Sequence, residues 1–146
     1  MQNASRYQLL TVFSVITLLA ASACDNGIRV LNVAPAITAV GPLSHNDGQV
    51  TFTVWIYDYE TDATDLEITL IRGTSESPIA NIGGDGIQGL TTSRSAEGRP
   101  HTLTWTPPTD IAETEQIQLK LTPSDGDAGK PYTTALFSLQ SGLEAP

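Results

Sequence analysis

"GQVTFTVWIYD", residues 48–58, decides the fold. Val50, Phe52, Val54 and Ile56 alternate with Thr51, Thr53, Trp55 and Tyr57. Successive side chains of an extended chain point to opposite sides, so this period of two gives one strand a wholly apolar face. Burying those four side chains contributes about 1.5–3 kcal/mol each, more than any exposed charge pair nearby. The segment is therefore expected to be a core strand.

The same rule recurs outward from this stretch. "LEITLI" places Leu66, Ile68 and Leu70 on one side, and "IQLKLT" places Ile117, Leu119 and Leu121 opposite Gln118 and Lys120. "ALFSL" adds Ala135, Phe137 and Leu139, "HTLTW" adds Leu103 and Trp105, and "AITAV" covers 36 to 40. "PIANI" and "GIQGLTT" are read as short strands in a Gly- and Ser-rich section between Pro78 and Pro100. Turn residues separate these runs: Gly41-Pro42, Asn46-Asp47-Gly48, Gly73 to Pro78, Pro107-Pro108, and Asp125-Gly126-Asp127 with Gly129. No run shows helical spacing over three turns, and "DIAETEQ" at 110–116 is at most one short turn. The expectation is an all-β, antiparallel β-sandwich of about seven strands over residues 35–141, with a C-terminal tail at 142–146.

Residues 1–23 read as an address. Arg6 precedes the apolar run Leu9, Leu10, Val12, Phe13, Val15, Ile16, Leu18, Leu19, which ends on Ala20, Ala21, Ser22 and Ala23. That is the order of a secretory signal peptide, and the run is too short and too interrupted for a spanning helix, which takes about 20 apolar residues. Cys24, the one cysteine, follows at once. Ser22, Ala23 and Cys24 match the last three positions of a lipobox, so this part of the chain resembles a bacterial lipoprotein precursor. Ala21 stands where that family usually has Leu. The resemblance implies cleavage before Cys24 and a diacylglycerol on its thiol, with acyl chains of the palmitate kind. Ala21-Ser22-Ala23 is equally an A-x-A cleavage site, which would release a soluble secreted protein beginning with a free cysteine. Two or three acyl chains hold a protein at a membrane where one gives marginal residence. Residues 24–34 then serve as lipidated N-terminus and tether, with Val30, Leu31 and Val33 leading into the first strand.

Charge narrows the partners. The chain carries a formal −9, and from Cys24 onward all sixteen acids remain while Arg6 is lost, leaving −10. The bases Arg29, Arg72, Arg94, Arg99, Lys120 and Lys130 are scattered singly, so no phosphate-binding face forms and nucleic acid is an unsuitable partner. With one cysteine no internal disulfide exists, and the mature chain of about 120 residues must be stabilised by its core.

The strand and acidic loop in "VTFTVWIYDYETDATDLEITL" and the strand, turn and strand in "IQLKLTPSDGDAGKPYTTALFSL" resemble immunoglobulin-like domains of bacterial cell surfaces, of the fibronectin III-like and cadherin-like kinds. The resemblance spans roughly residues 34–140. It lacks an inter-sheet cysteine pair and a Tyr at the start of "IQLKLT" for a tyrosine corner.

Candidate chemistry is confined to a few places. Asp58, Glu60, Asp62 and Asp65 gather oxygen donors suited to Ca²⁺, but Ala63 and Thr69 depart from the EF-hand pattern. A cadherin-like site would add Asp125 and Asp127 if the two loops meet at one end of the sandwich. The alternative reading of so acidic a loop is a solvated surface. Trp55 and Tyr57 share a strand face and would stack on a sugar ring if exposed together; packing at the core rim is the plainer account. His45 and His101 have no metal-ligand spacing, "IGGDGIQG" reads as a flexible hairpin, and no nucleophile elbow exists. The expected role is a non-catalytic interaction or spacer domain without a cofactor, Ca²⁺ at the acidic loop excepted. It would be anchored by lipid on the extracytoplasmic side of the cell envelope, facing another envelope protein or a glycan. A carbohydrate-binding module is the alternative.

Overall fold

Alternation becomes pleated strand wherever the sequence sustains it. The computed structural model describes residues 31–140. Its nine strands are β1 (Ala36–Val40), β2 (Ser44–Asn46), β3 (Gln49–Tyr57), β4 (Asp65–Arg72), β5 (Ser75–Pro78), β6 (Ile82–Gly84), β7 (Arg99–Trp105), β8 (Ile117–Ser124) and β9 (Tyr132–Thr133). The signal segment 1–23, Cys24, the first part of the tether and the tail 142–146 lie outside the described residues.

The strands form two antiparallel sheets, compatible with a β-sandwich. One runs β1-β3-β7-β6, with β2 also on β3; the other runs β5-β4-β8-β9. In the first, Val50 lies opposite Trp105 and Phe52 opposite Leu103. In the second, Ile68 lies opposite Leu121 and Leu70 opposite Leu119. These rows meet in one core with Val54, Ile56, Leu66, Ile117, Phe137 and Leu139, all buried. Both rows expected from the sequence are the ones that face inward.

The strand count is nine and not about seven, because short edge strands are held by backbone hydrogen bonds and need no apolar alternation. Strand β5 is exposed at every residue, yet pairs with β4 from Thr69↔Pro78 to Arg72↔Ser75. The segment "GIQGLTT" is no strand; its one bridge joins Leu90 to Thr64, and Leu90 is buried. The first strand begins at Ala36, with Leu31–Pro35 irregular. "ALFSL" is broken as well. Thr134, buried, takes over a ladder position: its Oγ1 accepts from Leu119 N at 3.0 Å and its N–H donates to Leu119 O at 2.9 Å. Ala135 and Leu136 are thereby turned outward, and Phe137 re-pairs with Ile117.

Two connections carry the acidic segments. Strand β3 of the first sheet runs into residues 58–64 before β4 begins in the second, and β8 of the second sheet runs into the Asp125–Pro131 turn. Asp65, the first residue of β4, lies opposite Ser124, the last of β8.

Candidate functional site

Both core rows end in an aspartate. Val50, Phe52, Val54 and Ile56 are the inward positions of β3, and Asp58 is the next residue of the same parity. Ile117, Leu119, Leu121 and Pro123 are the inward positions of β8, and Asp125 is the next. Asp58 is wholly buried. One oxygen from each of Asp58, Asp62 and Asp125 lies within 4.8 Å of the others. Two unit charges at that separation repel by roughly 3–4 kcal/mol at an effective dielectric of about 20.

The hydrogen bonds around these carboxylates orient them without covering them. Asp58 Oδ2 accepts from the backbone N–H of Asp62 at 2.6 Å. Its Oδ1 is buried with no partner. Asp125 Oδ1 accepts from Asn32 Nδ2 at 2.9 Å and from Asp127 N at 3.1 Å, while its Oδ2 is buried and bare. Glu60, in the same loop as Asp58, also has a buried oxygen, Oε2, without a partner. The loop is held from outside by Thr92 Oγ1, which donates to the carbonyl of Asp62 at 2.9 Å. Arg94 donates to the carbonyl of Tyr59 and stacks over that ring at 4.8 Å, so its guanidinium is engaged away from the carboxylates.

The remaining acids of the expected set are placed differently. Asp65 Oδ1 accepts from Gly89 N at 2.7 Å and so fixes the connection after β6. Asp127 is exposed, and its Oδ2 accepts from Asn32 Nδ2 at 3.4 Å. Trp55 and Tyr57 share the outward face of β3, each half-buried; the Trp55 ring lies against Gly41, where a Cβ would sit 3.3 Å from it. His101 is buried, with Nε2 2.7 Å from the carbonyl of Thr91 and Nδ1 3.6 Å from Asp85. It ties the 85–92 connection to β7. His45 sits in β2. Cys24, with Ala21, Ser22 and Ala23, lies outside the described residues.

No protein-family model, curated protein or solved structure matches this chain. What its residues do is therefore read from their own chemistry.

Asn32 and Thr92 had no signal in the sequence. Asn32 lies in a stretch read as tether, 93 residues from Asp125, and Thr92 in a stretch read as a strand. The inward placing of Asp58, buried, and Asp125, half-buried, did have one: the period of two, carried one step past the last inward residue of each strand.

Proposed function

We propose that the chain is an exported cell-envelope protein, held at a membrane by lipid on Cys24, whose immunoglobulin-like β-sandwich is a non-catalytic interaction or spacer module. The observation that carries this reading is the position of the lone Cys24, directly after the apolar run and Ala21-Ser22-Ala23, with only Asp25–Ala34 between it and Pro35. Ten extended residues reach at most about 35 Å, so the sandwich is kept close to the bilayer surface. Supporting the immunoglobulin-like reading, β1-β3-β7-β6 and β5-β4-β8-β9 follow the A-B-E-D and C′-C-F-G succession of such domains. The non-catalytic reading is supported by the use of His101 as a structural tie to Thr91 and Asp85.

Detergent phase separation of the processed wild type beside Cys24→Ala tests it. The wild type is expected in the detergent phase and the variant in the aqueous phase, with mass spectrometry showing a diacylglyceryl N-terminal cysteine. An unmodified thiol, or equal partitioning of the two, would overturn the anchor.

A further inference from the structure

The paired strand ends that bring Asp58 and Asp125 together also leave them unbalanced. Each has one oxygen fixed by N–H donors and the other buried and bare. Asp58 is fully buried, and an isolated carboxylate in that position is strongly disfavoured unless a cation or proton shares it. Among the described residues, the ion pairs involve Arg72, His101 and Lys120, and none reaches Asp58, Asp62 or Asp125. Donors that hold one oxygen of a carboxylate so that the other is presented are the arrangement found around metal-binding carboxylates.

We propose that Asp58, Asp62 and Asp125 bind a Ca²⁺ ion that joins the end of β3 in one sheet to the end of β8 in the other. The donor set selects the ion. It is all carboxylate oxygen, without imidazole or thiolate, and so suits a hard cation. Oxygens that share a Ca²⁺ at about 2.3–2.6 Å stand up to about 5 Å apart, and the three oxygens here lie within 4.8 Å of one another. The smaller Mg²⁺ demands a tighter octahedron at about 2.0–2.1 Å and keeps its waters, which fits a wide cluster of carboxylates less well. Water fills the remaining positions on the solvent side, where Asp62 is exposed. Asn32 is a positioning residue: its amide holds Asp125 and Asp127 while Asp125 turns its other oxygen to the ion. The ion thus offsets the repulsion that the two apolar rows bring about by ending in acids.

The test is calorimetric titration of CaCl₂ into the full mature chain, purified in detergent and stripped with chelating resin, together with thermal melts in chelator and in about 10 mM CaCl₂ or MgCl₂. Binding of one Ca²⁺ per chain is expected, with a dissociation constant in the range of about 10⁻⁴–10⁻³ M typical of extracellular modules, or tighter. The melting midpoint should rise by several degrees in Ca²⁺. Asp62→Asn, at an exposed position whose loss leaves the core untouched, should weaken binding at least tenfold, and Glu113→Gln, an exposed acid in another loop, should leave it unchanged. Asp58→Asn should abolish the Ca²⁺ response yet melt in chelator no lower than the wild type, because its amide carbonyl still accepts from Asp62 N while the bare charge is gone. If Asp58→Asn does not fold, Asp62→Asn alone decides. Absence of a Ca²⁺ response, an equal response to Mg²⁺, or a wild-type affinity in Asp62→Asn would overturn the proposal.

Discussion

Arg72 shows how a charged side chain of this domain holds a connection in place. Its guanidinium donates from Nε and Nη2 to the two oxygens of Glu115 at 2.7 and 2.9 Å, and from Nη1 to Asp110 Oδ2 at 2.6 Å. One planar fork at the end of β4 thereby clasps both ends of the 110–115 segment that leads into β8. Hydrogen bonding from Arg72 holds the carboxyls of Glu115 and Asp110 below their ordinary range, with direct charge attraction adding to it. Carboxylates depressed in the folded state stabilise it at pH above their unfolded values, and that contribution is lost as pH falls through the lowered folded values. Asp110 is exposed and Arg72 and Glu115 are half-buried, within reach of water and salt, so the effect is modest and shrinks with ionic strength. Arg72→Met should lower the melting midpoint slightly at pH 6–7 and flatten its decline below about pH 4.5, as measured by circular dichroism melts across a pH series. Wild-type and variant curves that stay parallel throughout the acid limb would show that the clasp does not stabilise the fold.

At the level of elements, the long strands were legible and the short ones were not, for a physical reason. Strands β3, β4, β7 and β8 bury alternate side chains, and burial leaves its mark on residue choice: Val50 to Ile56 and Ile117 to Leu121 are each nearly inaccessible on the inward side. Strand β6 has no such mark. "IGG" is held against β7 because glycine lets two backbones approach: a Cβ on Gly84 would overlap the carbonyl of Thr102, and its φ is +74°. Gly48, in the β2–β3 turn, has a similar φ of +77° but open space around its Cβ position. The two glycines thus separate two costs. Gly48→Ala meets only the left-handed backbone penalty, about 1–2 kcal/mol. Gly84→Ala meets that penalty plus displacement of the β6–β7 pair, and should cost at least about 1 kcal/mol more, lowering the midpoint by a further ~4–8 °C. Equal midpoints for the two variants in denaturation melts would show that β6 is free to move away from β7. The break at Thr134 was hidden for a related reason. A hydroxyl that accepts from the Leu119 N–H stands in for a backbone partner, and nothing in the local pattern of "TTALFSL" distinguishes it from an ordinary outward threonine.

For the whole molecule, the legible part of the candidate site was its composition and the illegible part its selection. Six acids stood out in the sequence, and three of them offer oxygens within 4.8 Å of one another. The parity that carries Asp58 and Asp125 inward was readable; the capture of Asp65 by Gly89 N and the reach of Asn32 to Asp125 were not, since both depend on contacts distant in sequence. The same separation of local from distant information bears on the proposed anchor. Among the described residues the buried apolar cluster runs from Leu43 to Leu139, with Ile37 and Val40 packed against it, and the named strands lie within Ala36–Thr133, so this core is built from residues well beyond Cys24. On the proposed reading, a lipid on Cys24 would set where the protein resides without being needed for that core. Cys24→Ala should therefore move the processed chain from the detergent to the aqueous phase while its melting midpoint, measured in the same detergent buffer, stays within about 2 °C of the wild type. A much lower midpoint in the variant would mean that the acylated end itself stabilises the sandwich, against a role for the lipid in anchoring alone.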